Sequence, residues 1–278
     1  MAAIGQWNEL KVVKELDFGL YLDGQDLGEV LLPRRYVPDN CKPEDIIKVF
    51  IYLDSEDRYI ATTEKPFACV GDFALLKVAA VNNIGAFLDW GLPKDLLVPF
   101  REQKQKMEAG RSYLVYLYVD EDSQRIAASN KLNKFLDKTP HDFSENQEVD
   151  LIIAKKTDLG YKAIINGTHW GVLYENELFQ PLHVGQAIKG FVKKIREDQK
   201  VDLSLQTTGY EKIPDLAESI LQQLQSNNGF LPVNDKSSAE TIYARFSVSK
   251  KSFKKAVGNL YKKRLITIEK DGLRLIKL

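Results

Sequence analysis

Two short stretches set side chains with rings around a glycine: Phe18-Gly19-Leu20-Tyr21 and Ile84-Gly85-Ala86-Phe87. A third, Leu159-Gly160-Tyr161-Lys162, carries its ring one place away. Exposed rings on a strand surface can stack on the bases of single-stranded nucleic acid, at about 1–3 kcal/mol per base. Glycine inside an apolar strand marks a bulge, a bend or a close backbone approach. Phe18 and Tyr21 are three residues apart, so a regular strand sends them to opposite faces. A bulge at Gly19 would insert one residue and return both rings to one face, and the same holds for Ile84 and Phe87 around Gly85. Two arrangements satisfy this spacing: an exposed platform, or rings that fill a core while the glycine bends a corner.

Other chemistry is thin. The chain has three histidines, His141, His169 and His183, and lacks the motifs of serine hydrolases, P-loop enzymes and HExxH metalloproteases. No catalytic residues, cofactor or metal ligands are assigned. The run Asp120-Glu121-Asp122 falls where a hairpin turn is expected, and His169 has no histidine or cysteine at ligand spacing, so a surface role is expected for it. Cys41 and Cys69 make no metal-type pair, which fits reduced thiols in a cytoplasmic protein. No apolar stretch reaches the length of a membrane span, and no membrane partner is expected.

The elements that must position the rings repeat at fixed offsets. Fourteen residues before Gly19, Gly85 and Gly160 stand Gly5, Gly71 and Asn146, and fourteen after stand Pro33, Pro99 and Tyr174. At +31 every copy has an aromatic (Phe50, Tyr116, Phe191), and at +44 a hydroxyl residue (Thr63, Ser129, Ser204). Near-period-two stretches such as Tyr113–Asp120 and Ile47–Asp54 read as strands. About five short strands per copy predict small closed barrels of the OB type. The divisions are 1–66, 67–130 and 144–208, with 131–143 as a linker, each barrel being large enough to fold alone. In the third copy, Asn166-Gly167 reads as a tight turn. Trp170 follows it, either as a stacking ring or as a packing ring.

Beyond the barrels, 209–278 changes period. Asp215–Gln225 and Ser237–Phe246 read as helices, the second with a serine cap, and Lys250–Arg264 as a third. Two strands joined at Asp271-Gly272 follow, which is the order of a winged helix-turn-helix. The third helix carries Lys250, Lys251, Lys254, Lys255, Lys262, Lys263 and Arg264 and no acid. Cations on that helix would contact phosphates of RNA or DNA without choosing a sequence.

The 278 residues balance 39 basic against 39 acidic side chains, but unevenly. Residues 1–63 hold seven basic and twelve acidic residues, whereas 207–278 hold thirteen and seven. The neutral total is a cancellation, with cations gathered at the C-terminal end.

The three copies resemble S1-type RNA-binding domains: a turn glycine, an aromatic-Gly-small-aromatic strand, an apolar pair, and final strands YIATT, RIAAS and KVDLSL. By that resemblance Phe18, Tyr21 and Phe87 stack on bases, while the third copy has neither platform aromatic and offers Tyr161 one place off. Arg58, Arg125 and Lys200 would meet phosphate. Three such barrels followed by a winged helix resemble the conserved virulence factor B family. The resemblance implies a mainly β, cytoplasmic, non-enzymatic protein that binds single-stranded RNA and acts on gene expression after transcription. The ribosome or the transcription machinery are further partners to consider. The acidic first barrel keeps a second function open, a scaffold on that machinery that binds mainly protein.

Overall fold

A computed structural model describes residues 1–178, 180–206, 212–246 and 248–276. The division expected at 208–209 lies outside the described residues. The protein is mainly β, with three closed five-stranded barrels and a C-terminal winged helix domain. It folds as two compact units, one of residues 1–140 with 167–169, the other of 141–166 with 170–278.

The first barrel comprises β1 (Trp7–Leu16), β2 (Gly19–Asp23), β3 (Glu29–Pro33), β4 (Ile46–Leu53) and β5 (Tyr59–Thr62). Its order is β1-β2-β3-β5-β4, with β1 also paired to β4 and β3 parallel to β5. This is the OB arrangement, in which closure leaves no open edge. Alternate residues point inward: Leu10 and Val12, Leu20 and Leu22, Val30 and Leu32, Val49 and Ile51 are all buried. Each such side chain contributes about 1.5–3 kcal/mol by leaving water. The second barrel repeats the order with β6 (Phe73–Val81), β7 (Gly85–Asp89), β8 (Leu96–Pro99), β9 (Ser112–Val119) and β10 (Ile126–Ser129). The third uses β11 (Glu148–Thr157), β12 (Gly160–Ile165), β13 (His169–Tyr174), β14 (Ala187–Ile195) and β15 (Val201–Ser204).

The repeated glycine does not sit at a bulge. Asp17 and Phe18 form a two-residue turn, and Gly19 opens β2 opposite Leu16. The register break lies on the preceding strand, between Val12 and Lys14, and recurs between Val78 and Ala80 and between Ile153 and Lys155. Those bulges sharpen the bend of a long strand shared by two neighbours. The glycine has a different use. A Cβ on Gly19, Gly85 or Gly160 would fall within 3.0 Å of the carbonyl oxygen of Leu32, Val98 or Leu173. Only a residue without a side chain lets these two strands approach so closely.

The first two barrels share a core. Phe50 and Tyr52 of β4 belong to the same buried cluster as Trp90, Leu92 and Met107 of the second barrel. Phe50 lies edge-on between Trp7 and Trp90, at centroid distances of 5.9 and 5.8 Å. The backbone N–H of Val70 donates to the Gly5 carbonyl, and the Gln6 side-chain amide donates to the Val70 carbonyl. These two copies are therefore not separate beads. The 131–143 stretch also packs in part: Leu132 and Leu136 are buried, and Phe135 stacks on Tyr116 at 4.1 Å.

The winged helix domain contains α1 (Lys212–Ser226), β16 (Phe230–Leu231), α2 (Ala239–Phe246), α3 (Lys250–Lys262), β17 (Ile266–Ile268) and β18 (Leu273–Leu275). Ile220, Leu224, Ile242, Phe253, Val257 and Leu260 fill its core. Ser238 Oγ caps α2 by accepting from the Thr241 N–H, and Ser249 caps α3 by accepting from Ser252. Three features differ from expectation. First, α1 begins at Lys212, so Pro214 lies inside its first turn. Second, β16 adds a third strand, paired with β18, where the sequence predicts only two. Third, α3 stops at Lys262, because Lys263 is its C-cap and Arg264 turns the chain at φ +57. Those two cations stand in the turn after the helix.

Candidate nucleic-acid interface

In the first barrel, Phe18 projects from the β1–β2 turn, 55% exposed. Its ring meets that of Tyr21 edge-on at 6.2 Å and 84°. The two rings share a face as anticipated, but the turn brings them together rather than a bulge at Gly19. Lys14 Nζ stands 4.6 Å from the Tyr21 centroid, a cation–π contact, while also pairing with Glu29. Arg58 is exposed and forks onto Asp54, and the Tyr21 phenol is among the groups acting on its guanidinium. Desolvation works against the Asp54 charge, but hydrogen bonds from the N–H groups and guanidinium of Arg58 and the N–H of Glu56 outweigh it and hold the carboxyl below its usual range.

The second barrel substitutes Ile84, 52% exposed, for the turn aromatic and keeps Phe87, half-buried, at the place of Tyr21. Phe87 opens onto a cleft of about 390 Å³, walled also by Tyr52 and Leu53 of the first barrel. Arg101 and Arg125 stand on its rim. Arg125 pairs with Asp57 of the first barrel and Arg101 with Asp120 at 2.7 Å. Asp120 is held below the usual carboxylate range by hydrogen bonds from Ser123. Asp95 stands in the same cleft, and there desolvation first and the Asp89 charge second push the carboxyl up.

The third barrel departs. Lys162 pairs opposite Lys155, the register that Tyr21 holds opposite Lys14. Tyr161 falls one place earlier and packs against the core. The ring of this face is Trp170, with Lys162 Nζ 3.9 Å from its centroid. Lys200 is exposed and pairs with Asp198 at 2.6 Å. His169 is buried, not on the surface, with Nδ1 2.9 Å from Thr168 Oγ1. Among the described residues no cluster of three metal-ligating side chains occurs.

On α3, Lys251, Lys254, Lys255 and Lys262 are exposed, opposite the buried Phe253, Ala256, Val257 and Leu260. Lys263 and Arg264 are exposed in the following turn. Lys250 is partly covered and donates to the Lys236 carbonyl.

The structure thus sets Lys14 against Tyr21 and brings Phe87 and Arg125 into one cleft, while Tyr161 is drawn toward its core. The glycine-centred pattern does not single out Lys14, Asp95, Arg101 or Lys162. Reading every position at +2 and +10 from the glycine would have found Lys162 and Asp95.

Comparison with known proteins follows the same domain order. The S1 domain family matches residues 4–64 and 70–130, and the CvfB-like winged helix domain family matches residues 218–275. The uncharacterized protein YitL of Bacillus subtilis is 29% identical over 277 residues, covering 93% of this chain and 89% of that protein. Conserved virulence factor B of Staphylococcus epidermidis is 29% identical over 237 residues, covering 82% of this chain and 79% of that protein. A crystal structure of a multidomain protein with nucleic acid binding domains from Streptococcus pneumoniae is 26% identical, covers 98% of both chains and gives a TM-score of 0.42. With two S1 domains and a CvfB-like winged helix in that order, and relatives of that name along four-fifths of its length, the chain belongs to the conserved virulence factor B family.

Proposed function

We propose that this protein binds single-stranded RNA through its barrels and acts as a cytoplasmic, non-enzymatic regulator of gene expression after transcription. The observation that carries the proposal is the recurrence of a partly exposed ring beside a cation, Tyr21 with Lys14 and Phe87 with Arg125, on S1-type barrels. Rings offer stacking and cations offer phosphate contacts, the two ingredients of sequence-tolerant single-strand binding. Both cations are held in surface ion pairs, worth about 0–1 kcal/mol, so a phosphate can compete for them.

The winged helix adds a cationic surface. Lys250 and Lys251 open α3, where the helix dipole disfavours cations. A polyanion at that end relieves the mismatch and gains from both the dipole and the lysines. Structured RNA or DNA suits this helix equally, because phosphate contact does not discriminate.

The test is a salt titration of full-length protein against a short fluorescent single-stranded RNA. Affinity should fall steeply with salt. Phe18→Ala and Phe87→Ala should each cost about 1–3 kcal/mol of binding. Binding that ignores both salt and the rings would overturn the proposal and favour the protein scaffold, a reading supported by the excess of acidic residues in the first barrel.

A further inference from the structure

The cleft beside Phe87 contains a group that simple stacking does not use. Phe87 pairs directly opposite Leu97, and Asp95, immediately before β8, lines the same cleft as both. Ile84, Leu97 and Phe87 give the cleft an apolar wall, and its volume of about 390 Å³ has room for a ring system of nucleobase size. Asp120 in the same cleft is satisfied by Arg101 and Ser123. Asp95 has neither ion pair nor hydrogen bond among the described residues, and faces the like charge of Asp89. It therefore offers two free acceptor oxygens at the edge of a stacking surface.

We propose that this cleft selects a guanine base. Guanine alone among the RNA bases presents two parallel donors, N1–H and the N2 amino group, which match the two oxygens of a carboxylate. Adenine and cytosine each offer one amino donor on that edge beside an unprotonated ring nitrogen, which a carboxylate repels. Uracil offers one imide N–H between two carbonyls. With the base on Phe87 and its edge at Asp95, the neighbouring phosphates lie toward Arg101 and Arg125, both exposed on the rim. The inference rests on the RNA-binding function above and assigns one base specificity to the same surface.

The experiment measures binding of full-length protein to a short oligouridine, to versions with one central guanosine, inosine or adenosine, and to guanosine 5′-monophosphate. A single guanosine should raise affinity about tenfold, the worth of one good bidentate base contact. Inosine, which lacks the amino group, should recover only part of that gain. In Asp95→Asn the guanine preference should vanish and adenine should gain, because the amide offers one acceptor and one donor. Oligouridine binding should not weaken in that variant, since the amide also matches the N3–H and carbonyl of uracil and a negative charge is removed from the cleft. The substitution removes like-charge repulsion from Asp89, so the variant should melt no lower than the parent protein. Equal affinity for all oligonucleotides, or a guanine preference that persists in Asp95→Asn, overturns guanine selection while leaving RNA binding intact. Asp95-dependent binding of the free mononucleotide with no binding of any oligonucleotide supports the guanine site and overturns the RNA function. No binding of any of these ligands overturns both.

Discussion

Glu102 illustrates how far one side chain can depend on its neighbours. It is buried in the second barrel, which by itself disfavours its charge. Hydrogen bonds from Lys134 and Ser129, at 2.6 and 2.7 Å, and the charges of Lys134 and Lys131 outweigh that cost and hold the carboxyl below its ordinary range. Because the folded value lies below the unfolded one, the stabilisation is complete above the ordinary glutamate range and is lost as pH falls through the folded value. Glu102→Gln should cost about 1.5–3 kcal/mol at neutral pH, the worth of a hydrogen bond to a charged group. The same variant should flatten the acid side of a stability-against-pH curve, measured by chemical denaturation. At this scale the repeat offsets made Tyr21 and Phe87 legible, because +2 from the glycine is a local, strand-borne relation. Asp95 and Lys14 escaped because their meaning depends on which strand lies opposite. Tyr161 misled because a ring at +1 falls on the core side of the strand.

Among the elements, the helices were the easier to read. The buried positions of α3 follow the 3.6-residue period, and its serine cap stands immediately before the first helical residue. Its end was harder to place, since Lys263 and Arg264 favour helix locally and the left-handed turn at Arg264 is imposed by the strand that follows. β16 was invisible for a related reason: two residues acquire strand character only by pairing with β18. Changing Lys250, Lys251, Lys254 and Lys255 together to Glu should weaken nucleic-acid binding across all sequences and reduce its salt dependence. Filter-binding assays with unrelated RNA and DNA oligonucleotides check both effects. Unchanged affinity would remove α3 from the interface.

Across the molecule, the three closed barrels followed by a winged helix were readable from spacing, composition and resemblance. The merging of the first two barrels was not. Trp90 and Phe50 read locally as ordinary core residues, and no period within either copy reveals that each completes the other's packing. Trp90→Ala should cost about 3–5 kcal/mol, as large aromatic truncations do. In hydrogen exchange of the full-length protein, amides of β1–β5 and β6–β10 should then open together. Faster exchange confined to β6–β10 would mean that the two barrels unfold separately.

That continuous packing has a consequence for ligand capture. Two modules on a flexible tether must search for the second contact after the first is made. Here Tyr21 and Phe87 stand on barrels that share a core, so under the proposed function a strand long enough to touch both meets the second ring without a search. Apparent affinity should therefore climb in a step, not a slope, once oligonucleotide length passes the span between Tyr21 and Phe87.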